Sequence, residues 1–279
     1  MILQLLNFLH NNGNRKLLNL ISRTGYRLKG YGHVKAAWRA DFRAYEYRVQ
    51  GVSYLSMGPG WAMSFDFLER TLLNTFCHLY IPRKGDCVID LGAGLGEETV
   101  IYSIWVGKKG VVHALEANPV TYAGLNYLCK RNNFSQARAH HLAIYKEDTE
   151  VTIEDDPQNY LTNTIRVGCR EATTHNVKAI TLDSFVRQNG ITRIDFLKSN
   201  VEGAEQFLIQ GMDSAVGIIR YLCISCHDFR HRNHQHGEFY LTKQKVRLFL
   251  EEHGFEVSVR ATGNDVIDDY IYARNTRIK

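Results

Sequence analysis

Proline is scarce in this chain, at 4 of 279 residues, although glycine reaches 22. So little proline argues against a long disordered linker. No apolar run attains the roughly 18 residues of a bilayer-spanning helix, so no transmembrane segment is expected. The opening MILQLLNFL is apolar but has no basic flank before it and stops at Asn11, Asn12 and Gly13. A cleaved signal peptide is therefore not expected. Disulfide spacing is also lacking. Cys77, Cys87, Cys129, Cys169, Cys223 and Cys226 mostly sit inside apolar patterns and read as reduced core residues of a cytoplasmic protein. Cys223 and Cys226 spell C-x-x-C within an apolar run. A spacing of three on a strand points the two thiols to opposite faces, which speaks against a redox or zinc pair. Internal repeats and low-complexity tracts are missing as well.

Apolar residues at 44% and charged residues at 23% are ordinary for a soluble globular protein. The length suits one α/β domain with an extension, or two small domains. The net charge of +5 is unevenly spread. Acidic residues are nearly absent from residues 1–50, where nine Lys/Arg stand against Asp41 and Glu46 alone. The remainder of the chain is slightly acidic. The basic character thus belongs to the N-terminal segment, which suggests an anionic partner for it.

Leucine and isoleucine spacing in residues 2–9 and 17–21 predicts short amphipathic helices, and 51–63 reads as a loop. Residues 1–63 are accordingly expected to form a basic helical extension ahead of a main domain at 64–279. Ser64 is placed to cap a helix running to about Tyr80. From Asp86 onward strands and helices alternate. Core strands are expected at Cys87–Leu91, Val111–Glu116, His140–Tyr145, Arg193–Lys198 and Tyr221–Cys226. Helices are expected at Gly96–Gly107, Pro119–Asn132, Ala204–Met212 and Leu241–His253. Val151–Glu154 and Lys178–Ile180 read as peripheral strands, and Phe255–Arg260 with Asp269–Ala273 as a closing pair. This rhythm predicts a doubly wound, mostly parallel, Rossmann-like sheet of about seven strands with an antiparallel last strand.

The sharpest local signal is Asp90-Leu91-Gly92-Ala93-Gly94-Leu95-Gly96-Glu97-Glu98, a strand that ends in a glycine turn and opens a helix. In doubly wound folds that turn lies at the ligand-binding edge. The second strand ends at Glu116, whose carboxylate can accept hydrogen bonds from both hydroxyls of a ribose. Glu97 stands where a dinucleotide fingerprint has its third glycine, and with Glu98 it puts negative charge where a pyrophosphate would sit. That disfavours NAD but not S-adenosylmethionine, a phosphate-free cation. The D-x-G-x-G form followed by an acid resembles motif I of class I methyltransferases.

A second motif runs Thr181-Leu182-Asp183 through Ile194-Asp195-Phe196-Leu197-Lys198-Ser199-Asn200-Val201-Glu202-Gly203-Ala204-Glu205. It resembles the FkbM-type methyltransferases over roughly residues 85–255. The resemblance implies methyl transfer from S-adenosylmethionine, usually to a hydroxyl of a sugar, polyketide or other natural product. Two positions depart from the family pattern: Asn200 replaces an aspartate, and Ser225 stands where a glutamate is often found. The expected cofactor contacts are Asp90, Gly92, Ala93, Gly94, Glu98, Glu116, Ala117, Ala143 and Asn200.

Methylating a hydroxyl requires a proton acceptor. His227 at the end of the fifth strand is the leading candidate, and Lys198 could serve if burial lowered its pKa. Asn200 completes the expected catalytic set. Glu202, Asp228 and His231 are expected to contact the acceptor. His227, His231, His234 and His236 crowd one loop, but no established ligand spacing accompanies them and no metal is assigned. A structural reading competes at each position: a hydrogen-bonded histidine at 227, a salt bridge from Lys198 to Glu202 or Glu205, a helix cap at Glu202.

For the basic segment three roles are open: a lid or homo-oligomer contact, a peripheral membrane contact, and nucleic-acid binding. The last is disfavoured, because the main domain is not basic and no Asn-Pro-Pro-Tyr tetrapeptide is present. An NAD-dependent oxidoreductase and a non-catalytic binding protein are the rival functions.

Overall fold

The computed structural model describes residues 8–10, 13–58, 63–155, 173–233 and 237–278. The centre is a seven-stranded sheet. In chain order its strands are β4 (Cys87–Leu91), β5 (Val111–Glu116), β6 (Ala137–His141), β10 (Ile194–Ser199), β11 (Ile219–Ser225), β12 (Phe255–Ser258) and β13 (Tyr270–Asn275). In space the order is β12-β13-β11-β10-β4-β5-β6. Every pairing is parallel except those of β13, which runs antiparallel to both β11 and β12. The expected Rossmann-like sheet with its antiparallel strand is therefore present.

Alternate residues of these strands face two different apolar layers. Val88, Phe196, Cys223 and Tyr272 join one cluster, and Ile89, Leu197, Leu222 and Ile271 the other. Burial on both faces explains why the strands read as unbroken apolar runs. Cys223 and Cys226 fall in different clusters, as their spacing requires.

The strand order reverses between β4 and β10, and such a switch point opens a crevice at the carboxyl ends of the strands. Helices α3 (Glu97–Val106) and α4 (Pro119–Arg131) follow β4 and β5, while α5 (Leu182–Gln188) precedes β10 and α6 (Glu205–Gln210) follows it. Asn118 caps α4, its Oδ1 accepting from the N–H groups of Val120 at 2.8 Å and Thr121 at 3.3 Å. Ser64 caps α2 (Phe65–Asn74), with Oγ accepting from Phe67 N at 3.3 Å; the helix ends six residues short of Tyr80. The expected third strand divides: β6 ends at His141, and β7 (Ala143–Ile144) joins a second sheet with β8 (Thr149–Asp155) and β9 (Thr173–Ile180).

The N-terminal segment is helical where leucine and isoleucine spacing predicted it, at residues 8–10 and in α1 (Arg15–Leu28), but it departs from a wholly helical extension: α1 is followed by a three-stranded antiparallel sheet of β1 (Lys35–Arg39), β2 (Ala44–Val49) and β3 (Val52–Ser56). The aromatics that interleave with charge are a strand pattern of period two. Tyr45, Tyr47 and Val49 are buried, and so are Tyr54 and Leu55 of the strand that the loop reading missed.

These side chains share one apolar cluster with Val88 and Val100 of the main domain. Glu46 and Ser53 weld the join. Glu46 accepts from Tyr127 Oη at 2.8 Å and pairs with Arg131 Nε at 3.0 Å. Burial alone would raise the Glu46 pKa, but the bonds from Tyr127 and Arg131 hold it below the usual range. Asn132 pairs with the Ser53 backbone at both ends, accepting at 2.8 Å and donating at 2.9 Å.

Candidate functional site

A cleft lies at the switch point. Gly92 and Gly94 form one side, Glu116, Ala117, Asn118 and Thr121 a second, Leu142, Ala143, Ile144 and Ile153 an apolar wall, and Asn200, Val201 and Glu202 the far rim. Counted with the open solvent at its mouth it holds about 800 Å³. Six expected residues therefore meet in one place: Gly92, Gly94, Glu116, Ala117, Ala143 and Asn200. Glu202, expected on the acceptor, lines the same cleft.

The glycine turn is fixed by close approach. Gly92 has φ +68, and a Cβ there would stand 2.0 Å from the Asn200 carbonyl oxygen. At Gly94, φ is +56 and no atom lies within 4 Å of where a Cβ would point, so the backbone is open on that side. Gly96 serves helix packing instead. A Cβ there would meet Leu125 Cδ1 at 2.8 Å, so its absence lets α3 pack on α4.

Glu116 braces the turn from the neighbouring strand. Its Oε2 accepts from Gly94 N at 2.8 Å and its Oε1 from Asn118 N at 2.9 Å. Burial raises its pKa, while those two N–H groups and the Thr121 hydroxyl pull it down. A carboxylate offers about four lone pairs, so accepting capacity remains for a ligand. Among the described residues the Asn200 carboxamide has no hydrogen-bond partner, and its backbone N–H bonds Leu91 O at 3.0 Å.

Other expected contacts lie beneath the cleft rather than in it. Asp90 is fully buried, accepting from Thr99 Oγ1 at 2.7 Å and pairing with Lys198 Nζ at 2.9 Å. Ala93 is 1% exposed and its N–H bonds Leu115 O at 3.0 Å. Glu98 opens α3 and is not on the cleft wall. Burial and the Asp90 charge raise its pKa against the pull of Lys198. Burial and Glu98 likewise raise that of Glu97.

Lys198 is not a proton acceptor. It is 1% exposed, and its Nζ donates to Gly92 O at 2.9 Å besides pairing with Asp90. Burial by itself would lower its pKa; the charges of Asp90, Glu98 and Glu116 outweigh that and hold it above the ordinary value. The expected partners Glu202 and Glu205 are replaced by Asp90, which lies opposite Lys198 in the β10–β4 register. The lysine thus ties the two strands across the switch point and fixes the Gly92 carbonyl.

His227 fails as a general base for a similar reason. It is 2% exposed, with Nδ1 2.9 Å from Glu205 Oε1 and Nε2 3.3 Å from Glu202 Oε2. Burial favours the neutral ring, yet Glu205 and Glu202 together push the pKa up to about 10. A ring hydrogen-bonded to Glu205 through Nδ1 and facing the Glu202 carboxylate through Nε2 is held in its protonated form and cannot take a further proton. Glu205 also accepts from Gly203 N and Thr242 Oγ1, at 3.1 and 3.0 Å. Glu202 sits at φ +53 and pairs with Arg230, which turns its side chain into the cluster.

Asp228 does not point at an acceptor. Its Oδ2 accepts from the N–H groups of Thr242 and Lys243, each at 3.0 Å, and so caps α8 (Lys243–Glu252). His231 is half-buried on the short α7 (Asp228–Arg232), away from the cleft lining. His234 and His236 lie outside the described residues. Among the described residues no three His, Cys, Asp or Glu side chains gather as metal ligands.

Sequence reasoning missed Asn118, Thr121, Leu142, Ile144, Ile153 and Val201 on the walls. Asn118-Pro119 was the one available signal, as a cap followed by a first-turn proline. Ile153 arrives from the peripheral sheet, whose docking no local pattern announces.

Comparison with known proteins then gives a family. The model described as "Methyltransferase FkbM domain" matches residues 90–257. Among curated proteins, Methyltransferase 1 of Beauveria bassiana is 21% identical over 232 residues, covering 72% of this chain and 85% of that protein. The AMB antimetabolite synthetase AmbE of Pseudomonas aeruginosa is 32% identical over 90 residues; these are 32% of this chain but 4% of the synthetase. A solved methyltransferase FkbM from Methylobacillus flagellatus overlays with a TM-score of 0.48 at 18% identity, over 70% of this chain and 45% of that one.

Proposed function

The chain belongs to the FkbM methyltransferase family, and from that premise we propose that it uses S-adenosylmethionine to methylate a hydroxyl of a sugar, polyketide or other small natural product. The observation that carries the cofactor assignment is the Glu116 carboxylate. It stands at the end of β5 with accepting capacity to spare, 2.8 Å from the N–H of an open glycine turn. A ribose diol fits that capacity. The apolar wall of Leu142, Ala143 and Ile144 suits an adenine ring. Glu97 opens α3 where a dinucleotide fingerprint has its third glycine, so the turn lacks the pattern that seats a pyrophosphate.

The cofactor supplies an electrophilic methyl group on sulfur. The chain supplies position. Glu116 holds the ribose, and Gly92 and Gly94 let the backbone approach where a side chain could not. The Asn200 carboxamide offers a donor and an acceptor at the switch point. In-line displacement at carbon gains much of its rate from such alignment. His227 and Lys198 do not take the hydroxyl proton, which passes to water at the open mouth of the cleft as oxygen gains the methyl group; the two residues fix the rim and the turn from below.

The test is incubation of the full chain with S-adenosylmethionine and a panel of hydroxylated sugars and polyketides. One added methyl on oxygen, located by mass spectrometry and NMR, supports the reading. A methyl found only on nitrogen overturns the hydroxyl assignment while keeping the cofactor.

A further inference from the structure

Helix α1 has a buried side and an outward side, and both are apolar. Leu18, Ser22, Gly25 and Tyr26 face inward. The Tyr26 ring lies 5.7 Å from that of Tyr47, and its hydroxyl donates to Met63 O at 2.9 Å, so the helix is held against the N-terminal sheet. On the opposite side Leu17, Leu20 and Leu28 are 47%, 59% and 84% exposed. Positions 17, 20, 24 and 28 form one stripe at helical spacing. Thr24, which completes it, spends its hydroxyl on Leu20 O at 3.0 Å. A soluble surface rarely lines up large apolar side chains in this way without a use.

Charge says what covers the stripe. Lys16, Arg23 and Arg27 run along one flank at the same helical period, all exposed. Among the described residues none of the three has an ion-pair partner. No acidic residue occurs anywhere in α1. A second copy of the chain laid face to face would set these cations against their equivalents. Apolar side chains flanked by lysine and arginine match a lipid surface, where leucines enter the acyl boundary and cations meet anionic headgroups. We infer that the outward face of α1 docks on an anionic membrane surface.

The inference is independent of the methyl-transfer reading. Its test is co-sedimentation of the full chain with phosphatidylcholine vesicles and with phosphatidylcholine–phosphatidylserine vesicles. The chain should pellet with the anionic vesicles only, and high salt should release it. Each cation is worth roughly a fivefold gain in partitioning, so K16E/R23E/R27E should lose about a hundredfold or more. L17S/L20S/L28S should lose at least about tenfold, because inserted apolar area contributes beside charge. Both variants change exposed side chains and should keep the wild-type circular dichroism. K108E/K109E, a charge reversal on another exposed turn, should bind as wild type does. The inference is overturned if the wild type ignores anionic vesicles or if the control reversal weakens binding equally. It is also overturned if the leucine variant disrupts a dimer while leaving vesicle binding intact, or if single-stranded RNA binds as well and is indifferent to the leucine substitutions.

Discussion

His227 illustrates how a residue type can be legible while its role is not. A histidine at the end of a central strand is a natural base, but its roles here are set by Glu205, 22 positions back, and by the turned Glu202. The same holds for Lys198, whose partner Asp90 sits on the adjacent strand. Partnerships formed by tertiary pairing leave no spacing signal in the sequence. A pH prediction follows from the imidazolium. Free histidine binds its proton near pH 6.5, and folded His227 near pH 10, so between these values the folded chain holds the extra proton. Its contribution to stability is complete below pH 6.5, declines as pH rises, and is gone above 10. Thermal unfolding of the wild type should therefore fall through that window more steeply than that of His227→Gln. His227→Ala should also cost about 3–5 kcal/mol at neutral pH, since it strands Glu205 without its cation; chemical denaturation reads that loss. Gly92→Ala should abolish cofactor binding or folding, because its Cβ would collide with the Asn200 carbonyl.

At the scale of elements, the glycine turn, the strand that ends in Glu116 and the helix after it were readable because each depends on neighbours in sequence. The capping of α8 was not, because Asp228 lies 14 residues before Thr242. Asp228→Ala should cost about 1 kcal/mol, seen as a fall in Tm, with the affinity for S-adenosylhomocysteine unchanged. A substrate-binding aspartate would give the reverse pattern, an intact Tm with weakened acceptor binding. The three N-terminal strands were hidden by their charges. Glu46 keeps the alternation with Tyr45 and Tyr47 yet is itself buried, and its compensation by Tyr127 and Arg131 is visible only once α4 is in place.

For the whole molecule, the order of the sheet follows from its rhythm of strands and helices, and the switch point follows from that order. What the rhythm does not convey is that Leu18 and Tyr26 of α1 and Tyr45, Tyr47 and Leu55 of the N-terminal sheet share the main apolar layer. Glu46 stands at this junction, so Glu46→Ala should lower stability by about 1.5–3 kcal/mol, the worth of hydrogen bonds to a charged group, while unfolding stays a single transition in calorimetry. Two separate transitions would mean that the N-terminal sheet folds alone.

The cleft itself is the central claim, and calorimetric titration tests it most directly. Wild-type chain should bind S-adenosylmethionine and S-adenosylhomocysteine and ignore NAD, while Glu116→Ala should bind both adenosyl ligands about 10–100-fold more weakly, the worth of hydrogen bonds to a charged group. Equal affinity in Glu116→Ala and the wild type, or binding of NAD in preference to either adenosyl ligand, would contradict the account.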